Sequence, residues 1–163
     1  MFYKEQKLIV MGSTESSLKS VDVDSISSVP FQGEMKKCIV PKIIDGDTCT
    51  IIFLIGDKPF KINLRISGID APEIHGDTQE EMLAAKVSHS ILTSIIEHHP
   101  KWYVVMYRWD KYGGRVIGDL YFTKKGKPLS SILLEKGCVR KYNGTKKEKW
   151  STKDLIKIME LKH

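Results

Sequence analysis

The chain has no hydrophobic run near the ~20 apolar residues that a membrane-spanning helix requires. Its first apolar stretch, residues 8–11, is too short for the core of a signal peptide, so an intracellular, cytoplasmic location is expected. Cysteines are few. The three present, Cys38, Cys49 and Cys138, are odd in number and show no Cys-x-x-Cys spacing, which argues against a disulfide framework or a cysteine-ligated zinc site and leaves packed free thiols. Sustained apolar period is also missing from residues 12–33, where seven serines fall between Ser13 and Ser28. Such a stretch reads as a flexible extension, so residues 1–35 are expected to precede a folded domain at 36–163. Within it, Met11-Gly12-Ser13-Thr14-Glu15-Ser16 has the form of an N-myristoylation signal. It works only where Gly12 is the processed terminus, and membrane attachment is expected in that case alone.

What remains is ordinary globular material, 41% hydrophobic and 28% charged, in a chain long enough for one core. Charge is not evenly spread. The net value is +6, yet residues 1–35 carry three Lys against five acidic residues, a balance of −2 that leaves +8 on residues 36–163. A basic domain of this kind attracts polyanions, among them nucleic acid and acidic membrane surfaces.

From residue 36 the pattern becomes regular. Residues 36–40 read as a strand ended by Pro41, and 49–55 as a β-branched strand closed by Gly56-Asp57. Phe60, Ile62, Leu64 and Ile66 then alternate with Lys61, Asn63 and Arg65, which assigns Arg65 to the polar face of a third strand. Two more strands are expected at 102–109 and 115–122, on either side of Gly113-Gly114. A helix over 79–97 opens with the capping-box pair Thr78 and Glu81, and Leu83, Val87, Ile91 and Ile95 are its expected buried face. A second helix covers 128–136, with Pro128 in its first turn and Gly137 as its stop; Ser151 opens a third. Five short strands with a helix after the third predict an α+β fold: a five-stranded OB-type Greek-key β-barrel with about three helices, preceded by the flexible N-terminal extension.

Three loops carry the chemistry-bearing residues. Asp45-Gly46-Asp47-Thr48 reads as a tight turn in which glycine supplies positive φ, and equally as two carboxylates that offer hard oxygens to Ca²⁺ or Mg²⁺. Asp70-Ala71-Pro72-Glu73 follows Arg65 by five residues, and Pro72 pushes Ala71 towards an extended conformation, exposing carboxylates on a connecting loop. Asp110-Lys111-Tyr112-Gly113-Gly114-Arg115 is a hairpin turn. There Lys111 and Arg115 are suited to hold phosphate and Tyr112 to stack on a base.

Taken together, Ile44-Asp45-Gly46-Asp47-Thr48, Leu64-Arg65, Gly68 through Glu73, Asp110-Lys111-Tyr112 and Arg115 resemble the staphylococcal nuclease (thermonuclease-like) family, with a weaker echo from Gly137 through Gly144. The resemblance covers residues 36–150. It implies an endonuclease and exonuclease that depends on one Ca²⁺ ion, hydrolyses DNA and RNA with a preference for single strands, and leaves 3′-phosphate ends. It is expected to act as a monomer with no obligatory protein partner. By the same resemblance Asp47 and Asp70 are metal-ligating carboxylates, Ala71 a ligand through its backbone carbonyl, and Asp45 a support behind them. Glu73 is the general base, Arg65 and Arg115 the phosphate clamp, and Lys111, Tyr112 and Tyr142 the nucleotide contacts. The hairpin holds one glycine more than the family's commonest form, which either rotates Arg115 or moves Lys111 and Tyr112. Only Tyr142 lies where the bacterial enzyme has a stacking tyrosine pair.

The competing reading is a catalytically silent nuclease-like module that binds nucleic acid or a protein partner. Retention of Asp47, Arg65, Asp70, Glu73 and Arg115 favours the enzyme. Lys146, Lys147 and Lys149 read as a solvated face, and His98 and His99 as the polar end of the first helix.

Overall fold

The computed structural model describes Asp22, Asp24 and residues 26–111 and 113–161. The Met11-Gly12 pattern and Tyr112 lie outside the described residues. In chain order the strands are β1 (Met35–Asp45), β2 (Thr48–Ile55), β3 (Lys58–Ile66), β4 (Ile69–Asp70), β5 (Trp102–Trp109), β6 (Arg115–Tyr121) and β7 (Arg140–Lys141). The helices are α1 (Gln79–Glu97), α2 (Leu129–Lys136) and α3 (Thr152–Met159). Five strands close into a barrel in the order β1-β2-β3-β6-β5, with β5 returning to β1. Every pair is antiparallel except β3 with β6. This is the OB-type α+β architecture expected from the strand count.

Alternation fills the barrel. Ile51, Leu64, Ile66, Val104, Val116 and Leu120 are fully buried from four different strands, so each strand turns one face inward. Phe60, at the other end of β3 from Arg65, stays 44% exposed. The chain joins the barrel before residue 36. Val29 is buried in the core, Gly33 N–H donates to the Met106 carbonyl (2.8 Å), and Trp109 Nε1 donates to the Ser28 carbonyl (3.0 Å).

Two local expectations are corrected. Pro41 does not end β1: the strand runs on to Asp45, and the register against β2 shifts between Ile39 and Lys42, so the proline falls at an irregularity where no ladder bond is required. The buried face of α1 is Ala84, Ala85, Ser88, Ile91, Leu92 and Ile96, while Leu83 is 51% exposed. Ile91 is buried as expected and Val87 and Ile95 pack against the core, while small Ala84, Ala85 and Ser88 join the buried face in place of Leu83. The N-cap of α1 forms as expected on one side only: Thr78 Oγ1 accepts from Glu81 N–H (3.2 Å), but the Glu81 carboxylate accepts from Glu73 N–H (3.4 Å). Pro128 is the N-cap of α2 and lies just outside it, and Gly137 closes that helix at φ 74°. Among the described residues no helix is long and apolar enough to cross a membrane.

Candidate active site

The turn between β1 and β2 is built around Asp47. Asp45 Oδ1 accepts the Asp47 N–H (3.0 Å), and Asp47 Oδ1 accepts from Thr48 Oγ1 (2.8 Å). Gly46 does not adopt the positive φ expected of it. Its need is space: a Cβ there would lie 2.7 Å from Ala71 Cβ and 2.8 Å from Ser88 Cβ. Ser88 in turn donates to the Cys138 carbonyl (2.6 Å), so α1, the Asp47 turn and the approach to β7 meet at one point.

Asp47 and Asp70 reach each other through Arg65. The guanidinium pairs with Asp47 Oδ2 through Nη1, and its Nη2 lies 3.6 Å from Asp70 Oδ1 and donates to the Ile69 carbonyl (3.3 Å). Asp47 Oδ2 also accepts the Ala71 N–H (3.1 Å), which ties the second acidic loop to the first. Arg65 therefore does stand opposite the inward hydrophobic row of β3, as alternation predicts, but it is largely buried against the two carboxylates and not on an open polar face. Burial pushes the Asp47 carboxyl up to about 6, against the opposing pull of the Arg65 guanidinium.

Two further cations complete the charge balance, and the sequence pattern did not indicate either. Arg140, opposite Asp70 in the β4–β7 pair, donates to Asp70 Oδ2 from Nε (3.1 Å) and Nη2 (2.9 Å). Lys147, expected on a solvated face, instead lies 2.8 Å from Asp70 Oδ1 and pairs with Glu73 Oε1. Burial opposes the charge on Lys147 but is outweighed by the two carboxylates, so its ammonium is held above the ordinary lysine value. Glu73 remains 52% exposed, with its carboxylate on the lysine. His75, two residues beyond, is exposed.

The opening beside these groups is a cleft of about 830 Å³. Arg65, Arg108, Lys111, Arg115, Lys146 and Lys147 line it, with Asp110 as the single carboxylate among the described lining residues. Asp47 and Asp70 do not; Arg65 and Lys147 stand between them and the opening. Arg115 pairs through Nε with Asp110 Oδ2, and the added glycine leaves Arg115 in the same cleft as Arg65 because both Gly113 and Gly114 take φ of 71° and absorb the extra length within the turn. Tyr142 lines the cleft with its ring 5.8 Å from the Arg65 guanidinium carbon. Such a surface suits a polyanion whose phosphates meet guanidinium groups and whose bases find an aromatic face.

Asp47 and Asp70 offer two carboxylates, hard oxygens of the type Ca²⁺ takes together with water. Asp70 Oδ1 is buried and faces the Lys147 ammonium at 2.8 Å, so a cation already stands against this oxygen. Among the described residues no three His, Cys, Asp or Glu groups converge as a ready-made metal cage. An ion bound beside these two carboxylates would take most of its oxygens from water.

An OB-type barrel with an arginine-lined cleft beside linked buried aspartates defines a nuclease-like module. The chain belongs to the staphylococcal nuclease homologue family, whose model matches residues 63–161. That span contains Arg65, Asp70, Ala71, Glu73, Lys111, Arg115 and Tyr142, while Asp45 and Asp47 precede it. No curated protein gives a significant match to the chain.

Proposed function

We propose that the protein is a Ca²⁺-dependent nuclease that hydrolyses phosphodiester bonds of single-stranded DNA and RNA and leaves 3′-phosphate ends. The observation that carries this reading is the meeting of Arg65 and Arg115 in one cationic cleft, with Asp47, Asp70 and Glu73 behind and beside Arg65. A phosphodiester is an anion, so attack by water needs its charge neutralised, and planar guanidinium forks do this while donating to the equatorial oxygens. Glu73 takes the proton of the attacking water as its oxygen bonds to phosphorus. The bond to the 5′ oxygen breaks, and that oxygen leaves with a proton from solvent. Asp47, Asp70 and the Ala71 carbonyl are the groups that would hold Ca²⁺, and the ion would supply neutralisation of phosphate charge there.

The second reading, a silent module, draws on a specific observation: Glu73 is engaged by Lys147 and not open to water on every side. Glu73→Gln separates the two. If Glu73 is the base, turnover of single-stranded DNA falls by roughly 10²- to 10⁴-fold. Binding at one fixed salt concentration stays equal or tightens slightly, since affinity rests on the cations. Unchanged turnover removes Glu73 from the mechanism. Intact binding with no turnover in either protein supports the silent module.

A further inference from the structure

Asp70 presents its two oxygens to different partners. Oδ2 is satisfied by the two aligned hydrogen bonds from Arg140. Oδ1 is met by Lys147 Nζ at 2.8 Å and, further off, by Arg65 Nη2 at 3.6 Å. The carboxylate is 1% exposed, whereas Lys147 is 42% exposed, so the lysine can leave and the aspartate cannot.

The chain around Lys147 is fastened on both sides of it. Before it, Tyr142 N–H donates to the Gly68 carbonyl (2.9 Å) and the Tyr142 hydroxyl donates to the Thr145 carbonyl. After it, Arg140 donates to the Glu148 and Lys149 carbonyls and lies 4.1 Å from the Trp150 ring. The backbone is thus delivered to Asp70 by Asp70's own partner, and only the four-carbon stem of Lys147 is left to move. Its ammonium also borders the cationic cleft, which offers it a place to go when a phosphate arrives.

Charge completes the case. Asp47, Asp70 and Glu73 each pair with at least one of Arg65, Arg140 and Lys147. A divalent ion entering beside Asp70 Oδ1 meets a nearby ammonium of like sign, and it is accommodated only as Lys147 withdraws. We infer that Lys147 is a tethered cation that competes with a divalent metal ion for Asp70 and thereby sets how tightly the site holds that ion. The inference rests on the metal-dependent reading above.

The test is calorimetric titration of Ca²⁺ alone into the full chain, for wild type, Lys147→Met, Lys147→Arg and Lys146→Met, with circular dichroism melts to confirm folding. Lys147→Met is expected to tighten Ca²⁺ binding by about tenfold or more, because the competing charge beside the carboxylate is gone. Lys147→Arg should stay within about twofold of wild type, as should Lys146→Met, whose lysine lines the cleft without pairing with Asp70. Should Lys147→Met fail to fold, Lys147→Gln removes the same charge with a polar side chain. Equal Ca²⁺ affinity in wild type and Lys147→Met overturns the inference and leaves the metal site standing. Equal tightening in Lys147→Met and Lys146→Met overturns it as well, since diffuse charge would then be the cause. Absence of Ca²⁺ binding in every protein overturns both the inference and the metal-dependent reading.

Discussion

Asp70 sits directly opposite Arg140 in the antiparallel β4–β7 pair, and the guanidinium closes on one carboxylate oxygen from two of its nitrogens. A two-residue ladder has little hold of its own, so this contact, with Lys147 on Asp70 and Glu73, fastens the second acidic loop to the chain after α2. Removing one partner of a buried ion pair costs roughly 3–5 kcal/mol, and the partial exposure of Arg140 brings the expectation to about 2–3 kcal/mol. Arg140→Met should lower stability in urea by that amount. Arg140→Lys should recover less than half of it, since an ammonium cannot supply both hydrogen bonds. A loss within about 0.5 kcal/mol for Arg140→Met would mean that Asp70 finds water instead.

Gly46 lies close against Ala71 and Ser88 beside the site. Gly46→Ala drives a methyl into Ala71, just after β4, and Ser88 on α1, and overpacking of this kind costs about 1–3 kcal/mol. Because Ala71 follows Asp70 directly, kcat/KM on single-stranded DNA should fall along with the melting temperature. A drop in melting temperature with unchanged kcat/KM would show that the turn relaxes without moving the carboxylates.

Arg115 holds Asp110 through Nε and has its remaining nitrogens available to the cleft. Arg115→Lys replaces a planar fork by a point charge, and turnover should fall by about 10²-fold, the usual loss when a transition-state donor is removed. Steady-state kinetics on one oligonucleotide decides it. Near-normal turnover places Arg115 outside the chemistry.

Asp119, on β6 away from the cleft, gives a pH signature of its own. Burial raises its carboxyl above the ordinary range, although Ser130 Oγ and the N–H groups of Ser130 and Leu120 donate to it. The folded protein therefore holds this proton more tightly than the unfolded chain. The resulting stabilisation is fully present below the unfolded value of about 4 and is lost as pH rises through the folded value. Asp119→Asn cannot lose a proton, so its melting temperature relative to wild type should climb between pH 4 and pH 7. A constant difference across that range would assign the folded carboxyl an ordinary value.

The barrel was legible because its strands carry either period two or β-branched runs, and Thr78, Gly137 and Ser151 mark helix ends with residues whose chemistry is local. β1 was read short because proline ordinarily stops a strand, and a register shift that removes the need for its N–H leaves no mark in sequence. The buried face of α1 was legible at Val87, Ile91 and Ile95 and missed at Leu83, whose size suggests burial, whereas Ser88 is buried by its smallness against Gly46. Asp47, Arg65, Asp70 and Glu73 come from clustered motifs and were singled out; Arg140 and Lys147 reach the same carboxylates from a two-residue strand and an irregular segment without period. Arg140 had one available signal, its place after Gly137 in the segment echoing the family.

The parallel β3–β6 pair sets Asn63 opposite Arg115 and Arg65 opposite Ile117, so the two arginines stand one pleat apart on the same face. Their spacing belongs to two barrel strands and is independent of the hairpin that joins β5 to β6. Residues can be gained or lost at that hairpin without separating the arginines, and the second glycine is one such gain. No comparable slack exists between Arg65 and Glu73, where Ser67 N–H donates to the Gly118 carbonyl and Ala71 N–H to Asp47 within a few residues of each other. Length variation in proteins of this design should therefore collect on one rim of the cleft, and a site for inserting a reporter peptide or a second domain is best chosen there.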